Sequence, residues 1–313
     1  MRTSIQQPNV QRDRARRKPL SKRTMSRLDR SAHHVLLAPT LLAIGAITLY
    51  PLIYGLVASF RGVSLSDPDA GFVGFRNYTE ILSDPETWHS IWLTIIFTAV
   101  SVAFSFALGL AGALALNLDF RFRGIVRSLF IIPWAVPAFV AALTWGWIYN
   151  DQFGILSALF SKVGLHAPQW LGSEHAMQSL IIVMVWKSFP FQLVMLLAGL
   201  QSIPPELYEA ARVDGASVVK QFSHITLPLL MPISLVALFM AVVNAFQYFP
   251  IPWILTAGGP SNATNVIAIS SYNLAFNAGE IGLGAAVAGV MCAVTTLGAI
   301  WYVRYYSQNV GRI

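Results

Sequence analysis

Charge is scarce in this sequence. Of 313 residues only 11% are Asp, Glu, Lys or Arg, against about a quarter in ordinary soluble domains. A soluble fold of this size could not cover itself with so few polar groups, which excludes a soluble enzyme and a disordered chain alike. Cysteine is nearly absent as well. Cys292 stands alone, so no disulfide scaffold is possible and the redox compartment stays unread. Carboxylates are missing from every long apolar run, with Glu280 only at an edge. No phosphate loop of the form G-x-x-x-x-G-K-[ST] occurs. The six histidines show no metal-ligand spacing on one helix, so no metal is expected. No acid, base or nucleophile cluster converges, so no catalytic residues are expected either.

What the chain has is apolar length. Hydrophobic residues make up 55%, and they gather in six runs, at about 35–60, 90–117, 128–149, 177–200, 233–255 and 281–303. Each can cross a bilayer core of about 30 Å at about 1.5 Å per residue. Runs of this length are helices, since barrel strands show ten-residue alternation. The first run is too long for a signal-peptide core, and it is expected to remain as a span. Pro51 within it is expected to kink the helix after Tyr50.

The net charge of +7 is distributed unevenly. Ten of the 21 basic residues lie in residues 1–34, read as a disordered basic cytoplasmic tail. With that tail inside, seventeen of the 21 fall on the inner side, the arrangement that positive-inside bias selects. The expected fold is therefore an all-α membrane protein of six transmembrane helices, N-in and C-in. The basic excess is topological, and no nucleic-acid partner is expected. The outer loop 61–89 reads as a small ordered cap. Gly284, Ala285, Ala288 and Gly289 form small-xxx-small pairs in the last span, a close-packing signal within the chain or against a second subunit.

The longest inner connection, 201–232, reads QSIPPELYEAARVDGASVVKQFSHITLPLLMP. Pro204-Pro205 suits the first turn of a helix and Glu206 its positive end. Gly215 falls where a left-handed residue would end that helix. A second short helix is expected from Ala216 toward Ile225, broken at Leu227-Pro228 and again at Pro232. Charges at Glu209, Arg212 and Asp214 and the small face of Ala210 and Ala211 suit a protein partner. A plain connector is the other reading of the same residues.

Glu209-Ala210-Ala211, then Gly215, Ile225 and Leu227-Pro228 at their fixed spacings, resemble the EAA signature of ABC importer permeases. Tyr50-Pro51, Gly74-Phe75-Arg76-Asn77-Tyr78, Trp186 with Pro190, and Leu255-Thr256-Ala257-Gly258-Gly259-Pro260 are similar to residues of the maltose and glycerol-phosphate type, over roughly residues 35–305. The resemblance implies an ABC transporter transmembrane domain over that range, in a prokaryotic inner membrane. It implies that 201–232 is the coupling loop, with Glu209, Ala210, Ala211, Asp214, Gly215, Ile225, Leu227 and Pro228 serving a separate ATPase. It further implies two such ATP-binding subunits carrying ATP and Mg, a second permease, and an external solute-binding protein. A secondary transporter or channel is the competing reading; it would need intramembrane carboxylates or broken-helix ion sites.

Polar residues inside spans are costly and mark pathways. Lys187 lies midway along the fourth span, followed by Ser188 and Phe191. The fifth carries Asn244, Gln247 and Tyr248. Lys187 and Phe191 share a helix face, as do Asn244 and Tyr248. The resemblance places these two spans around the pathway for a sugar or sugar-like solute. Lys187 departs from the maltose-type pattern: it either favours an anionic solute, or it snorkels or pairs with a partner carboxylate.

Overall fold

The structure, a computed structural model, describes residues 22–309. Thirteen helices follow in order among these residues: α1 (Lys22–Ser59), α2 (Arg76–Ser83), α3 (Pro85–Asn117), α4 (Arg123–Ala135), α5 (Ala138–Ile148), α6 (Ile155–Lys162), α7 (Ala176–Gln201), α8 (Pro205–Val213), α9 (Val218–Gln221), α10 (Leu227–Phe246), α11 (Pro250–Thr256), α12 (Ile267–Tyr272) and α13 (Ile281–Asn309). Two π turns, Phe222–Thr226 and Asn273–Asn277, precede α10 and α13. The chain divides into two units, residues 1–54 and 55–313.

Five helical stretches are long and apolar enough to span a membrane: Leu37–Ser59, Pro85–Asn117, Ala176–Gln201, Val218–Thr256 and Ile281–Gln308. A sixth is reached only if α4 and α5, which meet at 95°, are counted together as one span. The span expected over about 128–149 is thus two helices, broken at Val136-Pro137. The cause is local. Pro137 has no N–H to continue the ladder and drives Val136 out of helical geometry, to φ −65° and ψ 129°.

Two further expectations change. The backbone of α1 begins at Lys22, inside the segment expected to be disordered tail; no proline interrupts 22–38, and Arg, Met, Leu and Ala there favour helix. Residues 1–21 of that tail lie outside the described residues. The second helix of the inner loop does not break at Leu227-Pro228. It passes through the π turn Phe222–Thr226 and continues as α10 with Pro232 inside it. The wider turn makes room for the Pro228 ring, where a plain α-helix would clash. Likewise α7 runs on through Pro190.

In the larger unit, α3 and α7 form the central pair. Asp84 caps α3, accepting from the N–H groups of Glu86 and Thr87 at 3.1 Å each, with Pro85 at the first position. The two helices approach closely because α3 offers no side chain at Gly109, where an added Cβ would lie 2.9 Å from the Leu193 amide nitrogen. Phe97, Leu180, Met184, Leu193, Leu196 and Leu197 are buried along this seam and around it. Gln192 reaches from α7 to the Ala237 carbonyl of α10 at 3.2 Å.

The segment 61–89 is ordered, as its turn residues suggest. Arg61 and Phe72 pair as an antiparallel bridge. Asn77, buried, donates to the carbonyls of Ser59 and Arg61 at 2.9 Å each. Phe60 meets Phe75 edge-on and lies against Tyr78. The small residues of α13 serve this packing. An added Cβ on Gly284 would lie 2.8 Å from the Ala275 nitrogen, and one on Gly289 would lie 2.8 Å from the Tyr78 hydroxyl. Gly284 and Gly289 therefore answer to neighbours in their own chain.

Candidate functional site: a lined cavity and a presented helix

All six pathway candidates fall on one cavity. It has a volume of about 700 Å³, and Lys187, Ser188, Phe191, Asn244, Gln247 and Tyr248 line it together. Volumes of roughly 300–1,000 Å³ are usual for small-molecule sites. Helical spacing explains part of the gathering, because 187, 188 and 191 occupy one face of α7. Tyr248, expected to share a helix face with Asn244, instead lies in the turn after α10, its N–H donating to Ala245 O at 3.2 Å. Gln247 caps the end of α10 and its Nε2 donates to Thr295 of α13 at 3.2 Å.

Lys187 is engaged differently from either sequence expectation. Its Nζ donates to the carbonyls of Pro133 at 3.2 Å, Trp134 at 2.9 Å and Val136. No carboxylate is within ion-pair distance of it among the described residues, where Arg123–Asp119 forms the single salt bridge.

The cavity also takes in residues that sequence reading missed. Ser101 and Ser105 of α3 and Trp134 of α4 line it. Both serines are buried and return their hydroxyls to their own helix, at Phe97 and Val102. A signal for them existed: Ser90, Thr94, Thr98, Ser101 and Ser105 recur at steps of three and four, a hydroxyl stripe along an otherwise apolar helix. One of these groups has a structural use, since Thr94 Oγ1 accepts from the Ile267 amide at the start of α12, at 2.8 Å.

The inner loop presents a short helix, α8, and its end has a definite form. Gly215 sits at φ +72°. Its N–H donates to Arg212 O at 3.1 Å and that of Ala216 to Ala211 O at 2.8 Å, the paired closure of a Schellman motif. Glu209, Ala210, Asp214 and Gly215 are exposed, with Ala211 half-buried. Val213, Val218 and Val219 flank them, each at least 76% exposed. Ile225 packs inward with Tyr208 against the α3–α7 core, while Leu227 and Pro228 stay exposed. The Tyr208 hydroxyl and Thr226 Oγ1 are 2.9 Å apart, tying α8 to the π turn. Tyr208→Phe should loosen this tie by about 1 kcal/mol. Faster trypsin cleavage after Arg212 or Lys220, with uptake retained, is the expected result.

Among the described residues no group of three or more His, Cys, Asp or Glu could hold a metal ion.

Comparison with known proteins agrees with this architecture. Residues 105–312 match the family described as binding-protein-dependent transport system inner membrane component. The trehalose/maltose transport system permease protein MalF of Thermococcus litoralis is 43% identical over 221 residues, covering 70% of this chain and 75% of the relative. The sulfoquinovosyl glycerol transport system permease protein SmoG of Agrobacterium fabrum is 36% identical over 278 residues, 88% of this chain and 90% of the relative. Among solved structures, a bacterial ABC transporter that imports the acidic polysaccharide alginate shares the fold. Its TM-score is 0.80 at 22% identity, over 92% of this chain and 100% of that one. These matches set aside the secondary transporter and the channel. The chain belongs to the binding-protein-dependent transport family, as a multi-pass inner-membrane permease component of the ABC type.

Proposed function

We propose that this chain forms half of the translocation pathway for a sugar or sugar-like solute, and that α8 couples it to a separate ATPase. The observation that carries the reading is one cavity shared by polar residues of α7, the end of α10 and the turn that follows it. Ser188, Asn244, Gln247 and Tyr248 supply donors and acceptors suited to hydroxyl groups, and Phe191 supplies an apolar face. The sugar named for the trehalose/maltose relative supports the class. The chain has no phosphate loop, so ATP and Mg belong to partner subunits, expected to be two. A second, homologous permease completes the pathway, and an external binding protein delivers the solute. The inner loop and both termini face the cytoplasm in this reading.

Uptake of a labelled disaccharide by the assembled transporter in liposomes tests it. Asn244→Leu and Tyr248→Leu each leave a solute hydroxyl without a partner, a loss of about 1–3 kcal/mol. Uptake at limiting solute should then fall by about tenfold or more, with assembly intact. Undiminished uptake in both variants would remove this cavity from the pathway.

A further inference from the structure

Among the described residues, Lys187 is the one charged residue near the middle of a span. A cation there needs a physical reason, because the bilayer core gives it no water. The break between α4 and α5 supplies one. A helix end leaves its last carbonyls without intrahelical partners. Backbone of this kind is tolerated at membrane depth only where protein or a cavity satisfies it. Pro137 creates such an end at the cavity wall. The ammonium of Lys187 has three donors, and three carbonyls of the α4 terminus accept them: Pro133, Trp134 and Val136. The positive charge also meets the negative end of the α4 dipole.

The neighbouring residue grips the other arm. Trp186 packs edge-on against Trp145 of α5, with ring centroids 5.7 Å apart. Consecutive residues of α7 thus hold both sides of the 95° elbow. Trp134, whose carbonyl Lys187 binds, lines the cavity and is 57% exposed. A broad indole face is suited to the C–H face of a sugar ring, and its N–H to a hydroxyl.

We infer that Lys187 is a positioning residue that caps the broken span and so fixes Trp134 as the solute-facing platform of the cavity. Its charge is committed to backbone carbonyls and gives no preference for anions. The role of Trp134 rests on the proposed function above; the capping role of Lys187 does not.

The test has two arms, both on the assembled transporter in a Cys292→Ser background. In the first, Ala135→Cys at the elbow is labelled by a small thiol reagent, with no solute present. Lys187→Met should speed labelling by about tenfold, since three charge-assisted bonds are lost. Lys187→Arg, which keeps charge and donors, should return it to near the starting rate. Should Lys187→Met fail to assemble, Lys187→Gln keeps a two-proton amide and should give an intermediate rate. In the second arm, uptake of a neutral and an anionic sugar is measured for Trp134→Ala, Lys187→Met and the pair. Each single change should lower uptake of both sugars by a similar factor, and the pair should do no more than the worse single, as coupled residues do. Unchanged labelling in Lys187→Met or Lys187→Gln, or selective loss of the anionic sugar, overturns the inference. Loss of elbow protection with no sugar carried by any variant overturns the sugar reading and leaves the cap standing.

Discussion

Gly215→Val is expected to abolish ATP-driven uptake while the permease still inserts in the membrane. At φ +72° the backbone lies in the left-handed region, which a β-branched residue enters only with strain of about 1–3 kcal/mol. Space is not the obstacle. A Cβ at Gly215 meets nothing within 4 Å. The penalty is therefore conformational, and it falls on the closure that ends α8 and sets the direction of the chain beyond it. Two outcomes are open to the segment, and both remove coupling. Either the turn opens and α8 frays, or it shifts and carries Glu209 and Asp214 away from the position that the proposed coupling role requires. Uptake should fall more than about tenfold, a loss within the strain range given, with ATP hydrolysis continuing. Gly215→Asn separates conformation from mere side-chain size, because Asn tolerates the left-handed region. It should retain most uptake. Normal uptake with Val at 215 would reject α8 as the coupling element.

Gly109→Val should remove the folded protein itself. A Cβ there would stand 2.5 Å from Gln192 Cβ and 2.9 Å from the Leu193 nitrogen. A flexible side chain could swing aside, but a backbone amide in the middle of α7 cannot. The two central helices would have to part, opening a seam lined by Leu193, Leu196 and Leu197, all buried. Overpacking of this kind costs about 1–3 kcal/mol even where some relaxation is possible. Here the yield of monodisperse transporter after detergent extraction should drop below about a tenth, the measure of such a destabilisation. Gly124→Ala is the control, since nothing lies within 4 Å of that position. A Gly109→Val transporter purified in normal yield would show that the seam is looser than its distances imply.

Much of this was legible in the sequence, for reasons that can be named. Runs of twenty or more apolar residues have one outcome in a bilayer, so the spans announced themselves. The turn after α8 was also legible, because glycine at that spacing has few other uses. The polar residues of α7 and α10 were found because an amide or a cation in an apolar run is expensive. Serines were harder to see: Ser101 and Ser105 can satisfy themselves within a helix, so their presence in a span costs little and signals little. The errors came from proline. Pro137 breaks its span, while Pro190, Pro228 and Pro232 do not. The residue alone does not decide between them. What decides is whether a neighbour can take up the freed carbonyls, as Lys187 does, or the helix can widen before the ring, as at Phe222–Thr226. Both are tertiary facts. The carbonyl partners of Lys187 were illegible for the same reason, since they are 51 to 54 residues away in the chain.

The π turn before α10 sets a rotational phase. It holds one residue more than an α-helical path of the same height, and each residue of a helix advances the direction of its side chains by about 100°. Everything on its N-terminal side, from α9 back to the end of α8, is thereby turned by about that angle around the axis of α10. The bearing of the exposed residues of α8 is thus encoded by the number of residues in 222–226. Gain or loss of a single residue there redirects it.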